Sequence, residues 1–568
     1  MGFKDYKEAF EKFNEIFFKD RKSIFTGKEI LTKDNVKFLI DNFVEKGDAS
    51  DKDFDEKIRE QLKDASDDMI DLMANIIWLW RLPPKTADRK GSVAFFLKNF
   101  NKEELMHGDP NSFLGNFVGF ATAGTYYNIN KAFELAYIIK FLEKYLEIDG
   151  TGKETEILKK ELGDKVAIKG KGKTASMYNA LLHLFDPVEY MPIISNTHKQ
   201  NIVAALESEY CNKVDTDDAD DIDKKLKQIK DKLEGVLKDE KNLNENIFYD
   251  DRVKNIWSGG IDFESKNIIL YGAPGTGKTY QTKQTIEARK LIEKNHEYKI
   301  VQFHPSYSYE DFMDGVKPTG IENGAMKFEL RNGVFKQMCI DAFKNLKNSK
   351  EGKEELKKYY FVADEINRAE LSRVFGELLL CLEEDKRLRF EGNKLRGMLV
   401  KTANSSLWDN EKHAVYVDEA GEGYFGVPEN LYFIGTMNDI DKSIDSFDMA
   451  LRRRFVWKKY SCNYDVIVEY FDKTSEDKLE TYIKFCKKIN EHITINEGLG
   501  LDDSYELGHS YFLKPKKLTK SEIDKLWNEH ISPLLKEYLR TQYSGKDIET
   551  RLNDMKKKLI DTYGNSNK

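Results

Sequence analysis

The segment NIILYGAPGTGKTYQTKQTIEARKLI, residues 267–292, decides the fold of the second half of this chain. The apolar run Asn267–Tyr271 predicts a buried strand, and the polar run after Thr279 predicts a helix. The residues between them match the pattern G-x-x-x-x-G-K-[ST] at every position: Gly272, Ala273, Pro274, Gly275, Thr276, Gly277, Lys278 and Thr279. A strand, a glycine-rich loop and a helix in this order predict a phosphate-binding loop in an α/β sheet protein.

The chemistry expected of this loop follows from its residue types. Glycines let successive backbone N–H groups wrap around phosphate groups, and the helix that follows adds positive potential. Lys278 should reach the β- and γ-phosphates of a nucleotide, and the Thr279 hydroxyl should bind Mg²⁺. The other residues expected to line the phosphates are Gly272, Pro274, Gly275, Thr276 and Gly277. A glycine loop that arose by chance is the alternative, but the flanking strand and helix disfavour it.

A second apolar run, Tyr359–Ala363, ends in Asp364 and Glu365. An aspartate at the carboxyl end of a neighbouring strand can bind Mg²⁺ and the nucleotide that the metal holds, directly or through water. The adjacent Glu365 is placed to polarise an attacking water as a general base. Two acids after an apolar run are usually a solvated strand end, but downstream of a phosphate loop they predict a hydrolytic site.

A third apolar run, Leu431–Thr436, ends in Met437 and Asn438. The Asn438 side chain could hold the attacking water or the γ-phosphate, although an asparagine alone more often marks a turn. Further on, three consecutive arginines follow a helix-like DSFDMAL segment: Arg452, Arg453 and Arg454. Such a triplet is usually solvated, but in a ring of subunits one or two of them could reach a neighbour's nucleotide.

The composition excludes several classes of protein. Of the 568 residues, 33% are charged and 40% hydrophobic, and the net charge is −8, which argues against a wholly basic nucleic-acid-coating protein. The five cysteines include no CxxC pair, so we expect neither a disulfide framework nor a zinc site. No signal peptide or apolar run of membrane-spanning length is visible, and we expect a cytoplasmic protein without membrane association.

Four regions differ in their sequence patterns, in keeping with three to four domains for a chain of this length. The strand-like runs NIILYG, YKIVQFH, YYFVADE and NLYFIGTMN alternate with helical patterns, which predicts a parallel sheet flanked by helices. The proposed regions are a mostly α-helical N-terminal recognition domain (1–211), a charged and solvated linker helix (212–246), the α/β core (247–465), and a helical lid with the C-terminal tail (466–568).

Together these residues resemble the AAA+ superfamily, and more closely its McrB-type branch, the motor subunits of modification-dependent restriction systems. The resemblance covers about Phe248–Leu539 and rests on several segments in order: VQFHPSYSYEDFMDGVKP (301–318), FVADEINRAELSRVFGELLLCLEEDKR (361–387), VPENLYFIGTMNDIDKSIDSFDMALRRRF (427–455) and LGHSYF (507–512). It implies an AAA+ P-loop nucleoside-triphosphatase fold with a helical lid. The roles that it implies are Walker A for Lys278 and Thr279, Walker B for Asp364 and Glu365, sensor 1 for Asn438, and a trans-acting arginine finger for Arg452 and Arg453.

The resemblance also implies cofactors and partners. A McrB-type protein hydrolyses Mg²⁺-bound ATP or GTP, assembles into a ring that is usually a hexamer, and works with a McrC-like nuclease subunit. The branch carries M-N-T-A-D-R-S after sensor 1, whereas residues 437–443 of this chain are MNDIDKS. Lys442 offers a point charge where arginine offers a planar fork, and this departure slightly favours ATP over GTP.

The N-terminal region is expected to recognise the target, with DNA as the partner. Residues 1–200 contain 31 Lys and Arg against 33 Asp and Glu, so no extended basic surface is visible. A glycine-spaced lysine run, Lys165–Lys173, could contact phosphates or be a solvated loop. The aromatics Trp78, Trp80, Tyr126 and Tyr127 could stack on a flipped base, but a core position is favoured. The polar segment Arg387–Tyr424 could contact DNA or the nuclease, or be plain surface.

Two other functions remain open at this point. The DEINRA segment also occurs in MoxR-like AAA+ proteins, which remodel protein partners. The phosphate loop could also serve as a slow nucleotide-gated switch in a sensor for phage defence. A motor for a restriction system is the primary expectation because FHPSYSYEDF and GHSYF favour McrB over MoxR.

Overall fold

The computed structural model describes the chain except residues 1–2, 47–53, 86, 109–112, 122–126, 128–129, 211–220, 239, 241–242, 260, 262, 264, 294, 323–324, 441–448, 472–473, 475, 496–497, 541 and 564–568. Two structural units make up the described part, Met1–Ile247 and Phe248–Lys568. Among the described residues, no helix combines the length and the apolar character that crossing a bilayer requires.

The first unit is mostly α-helical, as predicted. Its α-helices are Tyr6–Phe13, Lys33–Leu39, Phe54–Gln61, Asp67–Trp80, Arg89–Lys98, Lys131–Glu147, Glu154–Glu156, Ser176–Phe185, Asn196–Tyr210 and Ile222–Leu237, with π-helical turns at Asn14–Lys19, Ile40–Glu45 and Ile157–Leu162. Their apolar stripes meet in one core, where Phe13 stacks on both Phe17 and Trp78. Trp78, Trp80 and Tyr127 are buried, which confirms the core interpretation, whereas Tyr126 lies outside the described residues.

The lysine run of the first unit forms a β-hairpin. Strands β1 (Lys165–Ile168) and β2 (Lys171–Thr174) pair in antiparallel register around a turn at Lys169 and Gly170. Lys171 and Lys173 are two positions apart and lie on one face of the hairpin, whereas Lys165 lies on the other face. All three are exposed, and Lys173 donates to Asn130.

The predicted linker helix differs from its prediction. The helix Ile222–Leu237 is present, but its apolar stripe, including Leu226, Ile229 and Leu233, is fully buried. The buried ion pair between Lys199 and Asp223 fastens it to the helix Asn196–Tyr210. The expectation of a solvated linker was therefore wrong for this helix, which is part of the first unit.

The second unit is built on a five-stranded parallel sheet. The described strands of the whole unit, including those outside this sheet, are β3 (Asn267–Gly272), β4 (His296–Gln302), β5 (Asp314–Glu322), β6 (Ala325–Asn332), β7 (Lys358–Asp364), β8 (Arg389–Glu391), β9 (Lys394–Arg396), β10 (Tyr416–Val417), β11 (Gly423–Tyr424), β12 (Leu431–Asn438) and β13 (Val456–Lys459). The sheet has the order β13-β3-β12-β7-β4, and β5-β6, β8-β9 and β10-β11 are separate antiparallel hairpins.

Alternate residues of the central strands pack into two different apolar clusters. One cluster contains Ile269, Phe361 and Phe433, and the other contains Leu270, Val362 and Ile434. Because successive side chains of a strand point to opposite faces, the two clusters lie on the two faces of the sheet. Both faces are therefore covered, as in other parallel sheets. The predicted fold class, a parallel α/β sheet flanked by helices with a helical lid, is confirmed.

Helices of the second unit flank the sheet or form the C-terminal lid. The α-helices before and within the sheet region are Asp251–Trp257, Lys278–Ala288, Tyr309–Phe312, Val334–Lys350, Leu371–Phe375, Asn410–His413 and Met449–Arg452. Those of the lid are Tyr464–Tyr470, Glu476–Thr494, His509–Phe512, Lys520–Leu526, Ser532–Leu539 and Gly545–Met555, with π-helical turns at Trp527–Ile531 and Lys556–Ile560.

Candidate active site

The glycine-rich loop joins the carboxyl end of β3 to the helix Lys278–Ala288. Gly275 and Gly277 both have a φ of 76°, in the left-handed region that side-chain-bearing residues avoid. Gly277 is the N-cap of the helix, so the first unbonded N–H groups of the helix face the loop. The loop therefore has the backbone conformation that a phosphate cradle requires.

Lys278 lies folded inside the loop. Its Nζ donates to the carbonyl oxygens of Gly272 (3.1 Å) and Ala273 (2.9 Å) and to the Asn438 Oδ1 atom (3.0 Å). The side chain is only 7% exposed. The ammonium is thus held at the centre of the loop by polar groups that a phosphate oxygen can replace as its partner.

Thr279 and Asp364 are in direct contact. The Thr279 hydroxyl donates to the Asp364 Oδ1 atom at 2.5 Å, and the Thr436 hydroxyl donates to the same oxygen at 2.6 Å. A hydroxyl and a carboxylate are hard oxygen donors, which are the ligands that Mg²⁺ prefers. The donor set at this position therefore fits a magnesium ion.

The carboxylate of Glu365 accepts hydrogen bonds from the side chains of Asn438 and Arg368. The Asn438 Nδ2 atom donates to Glu365 Oε1 at 2.9 Å, and Arg368 Nε approaches Glu365 Oε2 at 3.4 Å. Glu365 has a φ of 52°, an uncommon conformation for a residue with a side chain. Strained backbone of this kind is concentrated at functional sites, because the surrounding contacts must hold it in place.

The register of the parallel strands explains why these residues meet. Asn438 of β12 lies opposite Gly272 of β3, and Gly435 of β12 lies opposite Ala363 of β7. The phosphate loop, Asp364 and Asn438 therefore lie at the carboxyl ends of three neighbouring strands, at one edge of the sheet. Ligands of open parallel sheets bind at this edge.

The arginines lie at the opposite, amino, edge of the sheet, because they precede β13. Val456 at the start of β13 is opposite Ile268, and about 13 Å of strand separates that level from Gly272. Arg453 is 68% exposed, and Arg452 is also exposed. Arg453 and Arg454 both pair with Glu383, at 3.6 and 3.0 Å, but Arg454 differs from the other two because its side chain is only 5% exposed.

The carboxyl edge also contains Asp439, which is part of the altered segment MNDIDKS. Burial raises the pKa of Asp439, although the charges of Lys278 and Lys459 oppose this effect. Asp439 is therefore easier to protonate than an exposed aspartate, and it follows Asn438 directly. The altered residue Lys442 lies in residues 441–448, outside the described residues, so the structure does not describe its surroundings.

Two residues of this site were missed by the sequence analysis. Thr436 bonds Asp364, and its own oxygen accepts the Glu365 N–H at 3.4 Å. Arg368 bonds the carboxylate of Glu365. The signal for Thr436 was present in the sequence: it is a polar residue two positions before Asn438 in an otherwise apolar strand, so both share one face. Nothing in the sequence pattern pointed to Arg368.

A lid segment lies against the phosphate loop. The Gly508 N–H donates to the Pro274 carbonyl at 3.2 Å, and the Ser510 N–H donates to the Gly275 carbonyl at 3.1 Å. The sequence analysis used the LGHSYF segment only for its resemblance and assigned no contact to it. The backbone of the lid segment is thus hydrogen-bonded to the backbone of the phosphate loop.

Family models match two parts of the second unit. Residues 267–455 match the AAA domain of the dynein-related subfamily, and residues 481–546 match the α-helical lid domain of McrB. The resemblance predicted from the motifs is confirmed by these two matches and by the relatives below.

Two curated proteins are similar to this chain. The Type IV methyl-directed restriction enzyme EcoKMcrB subunit of Escherichia coli (strain K12) is 35% identical over 281 residues, which are 48% of this chain and 54% of that protein. The Type II restriction enzyme BsuMI component YdiS of Bacillus subtilis (strain 168) is 23% identical over 290 residues, 47% of this chain and 75% of that protein. The chain thus spans about half the length of the E. coli relative. A solved structure from Cytophaga hutchinsonii aligns with 40% of this chain and 57% of its own at a TM-score of 0.20 and 15% identity, too low to support an argument.

Proposed function

We propose that this chain, whose second unit is a McrB-type AAA+ nucleoside-triphosphatase, is the motor subunit of a McrBC-like restriction system. The observation that carries the proposal is the chain of contacts Lys278–Asn438–Glu365, beside the contact of Thr279 with Asp364. These contacts gather a phosphate-binding cation, a water-activating carboxylate and a metal-binding oxygen pair at one strand edge.

Each residue has a role in hydrolysis. The loop from Gly272 to Gly277 would bind the phosphates through its N–H groups, and Lys278 would neutralise the β- and γ-phosphates. Thr279 and Asp364 would hold Mg²⁺, which screens the phosphate charge when it is bound. Glu365 would take the proton of the attacking water, and Asn438 would orient that water.

The position of the arginines supports the proposal of a ring of subunits. Arg452 and Arg453 are exposed at the amino edge, whereas the loop is at the carboxyl edge of the same sheet. An arginine there acts on a nucleotide only if that nucleotide is bound by another copy of the chain. We therefore assign Arg452 and Arg453 as finger candidates in trans, in a homo-oligomer that is a hexamer by family resemblance.

The target and the partner complete the proposal. The relatives of E. coli and B. subtilis are named as parts of restriction enzymes, and DNA cleavage would be carried out by a separate McrC-like nuclease. The first unit (Met1–Ile247), which includes the helix Ile222–Leu237, would recognise DNA, and the core (247–465) with the lid (466–568) would form the motor. ATP is favoured slightly over GTP, since Lys442 replaces the arginine of the branch.

The first experiment is phosphate release by the purified full chain with MgATP and MgGTP in parallel. We expect the wild-type chain to hydrolyse at least one of them, ATP preferentially, and Glu365→Gln to lose on the order of 10²-fold in rate while still binding it. Glu370→Gln, which changes an exposed glutamate five positions away, is the matched control and should retain the wild-type rate. Equal rates for Glu365→Gln and wild type would reject the catalytic assignment.

A second measurement separates a motor from the two alternatives. A motor should increase its hydrolysis rate when DNA and the nuclease subunit are added. A slow rate that neither addition changes would favour a nucleotide-gated sensor. A rate increase with a folded protein client but not with DNA would favour a MoxR-like chaperone.

A further inference from the structure

The hairpin of β1 and β2 in the first unit has a fixed base and an open tip. At the base, Val166 is buried, and the Ala175 N–H donates to the Asp164 carbonyl at 2.8 Å, which closes the hairpin. Toward the turn, a methyl group added at Gly170 or Gly172 would meet no atom of the described residues within 4 Å. The tip therefore projects from a well-packed support.

The hairpin concentrates positive charge. Residues 165–173 contain no Asp or Glu but four lysines: Lys165, Lys169, Lys171 and Lys173. Within the described part of the chain, none of the four pairs with a carboxylate, whereas Lys159 and Lys160, shortly before them, pair with Asp221 and Glu156. Since residues 1–200 contain 31 Lys and Arg against 33 Asp and Glu, this unneutralised charge is a local feature of the hairpin.

The lysines are distributed around the hairpin. Lys171 and Lys173 lie on one face, Lys165 lies on the other face, and Lys169 is in the turn. A ribbon that lies flat on a charged surface uses the charges of one face only. The major groove of DNA, about 12 Å wide, admits a two-stranded ribbon and has a phosphate backbone along each side. Charges on both faces and at the tip therefore fit insertion into a groove.

The turn carries a lysine where the backbone favours other residues. Lys169 has a φ of 50° and Gly170 a φ of 76°, so both are in the left-handed region that a type I′ turn requires. Asparagine, aspartate and glycine are the residues that such a turn prefers at its first position. A contact made by the charged end of Lys169 accounts for this choice.

Gly172 leaves the outer edge of β2 uncovered. Its φ lies outside the left-handed region and the space around it is open, so neither its conformation nor its packing requires glycine. A glycine inside a strand often marks a place where a ligand approaches the backbone closely. Ile168 and Lys171 flank the two-residue turn as a hydrogen-bonded pair, so the next pair, Ala167 and Gly172, directs its N–H groups away from the partner strand.

We infer that the hairpin of β1 and β2 inserts into a groove of double-stranded DNA, where Lys165, Lys169 and Lys171 bind phosphates and the Gly172 N–H donates to a phosphate oxygen. This inference rests on the proposed function and names the element of the first unit that contacts DNA. Phosphate contacts position a protein on the duplex without reading its sequence. The hairpin therefore adds affinity for modified and unmodified DNA alike.

The test measures the salt dependence of DNA binding by the full chain. Fluorescence anisotropy follows a labelled duplex of about 30 base pairs, unmodified or methylated at cytosine, between about 50 and 200 mM salt. The variant is Lys169→Asn with Lys171→Gln, which leaves an Asn-Gly turn and so preserves the hairpin. Loss of two phosphate contacts should reduce the slope of log K against log salt by about 2 for both duplexes. The affinity ratio of parent to variant should accordingly shrink about 10-fold over this salt range.

The control removes the same charge from the same unit. Lys12 and Lys63 are exposed lysines that pair with Glu15 and Glu60, so the double variant Lys12→Gln with Lys63→Gln should keep the slope of the parent. If the hairpin variant also keeps that slope, or if the control loses as much of it, the inference is overturned.

Gly172→Val tests the insertion itself. Valine favours strands and has room here, so the Tm should not fall. Its branched side chain covers the outward N–H, so affinity for both duplexes should fall by at least about 5-fold. Unchanged affinity would overturn the insertion. A parent chain that binds neither duplex would instead reject DNA recognition by the first unit, and with it the hairpin, which distinguishes a failure of the proposed function from a failure of the inference alone.

Discussion

The two edges of the parallel sheet use the same types of residue in different ways. At the carboxyl edge, Lys278 donates to the Asn438 side chain and Asn438 donates to that of Glu365, and Lys278 also donates to the loop carbonyls of Gly272 and Ala273. At the amino edge, Arg387 and Asn430 donate to backbone carbonyls: Arg387 to those of Leu382, Pro428 and Leu431, and Asn430 to those of Ala342 and Lys357.

This difference distinguishes a site from a scaffold. Side chains that bond mainly to other side chains can exchange partners for a ligand at little cost, since both groups can rotate. Side chains that satisfy buried carbonyls cannot leave without stranding those carbonyls. Substitutions at the carboxyl edge should therefore reduce activity and spare stability, and substitutions at the amino edge should do the opposite.

The largest expected effect is that of Lys278→Ala. Loss of the ammonium removes the cation that the loop itself supplies to the β- and γ-phosphates and should reduce phosphate release on the order of 10³-fold. The Tm should fall less than with Arg387→Met, since Lys278 donates to two backbone carbonyls and Arg387 donates to three. Lys283→Ala, on an exposed face of the same helix, is the control. A large loss of Tm with Lys278→Ala would contradict the distinction between the edges.

Arg453→Ala and Arg454→Ala divide the arginine triplet by function. Arg453 is exposed, so Arg453→Ala should reduce the hydrolysis rate of the assembled protein about 10²-fold and leave its stability and nucleotide affinity unchanged. Arg454 is buried against Glu383, so its substitution should mainly lower the Tm. Phosphate release and thermal unfolding, measured on both variants, check this. Full activity in Arg453→Ala and in Arg452→Ala would remove both finger candidates.

Arg387→Met tests the scaffold edge. Arg387 is 1% exposed, and it also donates to the Asn267 side chain at 2.6 Å. Its removal takes a donor from each of four acceptors, of which the Leu382 and Pro428 carbonyls keep another donor, and should lower the free energy of unfolding by about 3–5 kcal/mol. Arg389→Met, two residues away on the surface, should cost under about 0.5 kcal/mol. Denaturant titration measures both, and triphosphate affinity of the folded protein should be unchanged.

Acid pH should weaken the amino edge through Glu293. Burial alone would raise the pKa of Glu293, but bonds and charges from His296, Arg289, Lys358 and Tyr360 outweigh it and lower this pKa to about 2. The carboxylate therefore stabilises the fold fully above its usual pKa of 4.5, and this contribution is lost as the pH falls toward 2. The expected loss is about 2–3 kcal/mol. Unfolding measured from pH 6 to 2.5 should show a flatter profile for Glu293→Gln.

Much of the second unit was predictable, because its strands are apolar runs that end in polar residues. Asp364, Glu365 and Asn438 were identified as strand-end residues, and parallel strands bring such ends together. Arg387 shows the limit of this reasoning. It was counted in a polar segment with a surface role, but the structure buries it, since burial of an arginine depends on carbonyls from distant loops that no local pattern reveals.

Tertiary packing also decided the parts that the sequence left open. The stripe of the helix Ile222–Leu237 was visible, but the charged residues around it favoured a solvated linker, and only the neighbouring helix Asn196–Tyr210 shows that the stripe is covered. Likewise, the contact of Gly508 with the loop joins residues more than two hundred positions apart. The residue type alone, a glycine, is compatible with many turns.

The separation of Arg453 from the loop across the length of β13 has a genetic consequence. A Lys278→Ala allele keeps its arginines, and an Arg453→Ala allele keeps its phosphate loop. Where the two products alternate in one assembly, half of the subunit junctions combine an intact loop with an intact arginine. Two alleles that are each inactive alone should therefore restore activity when they are expressed together, whereas two alleles damaged at the same edge should not.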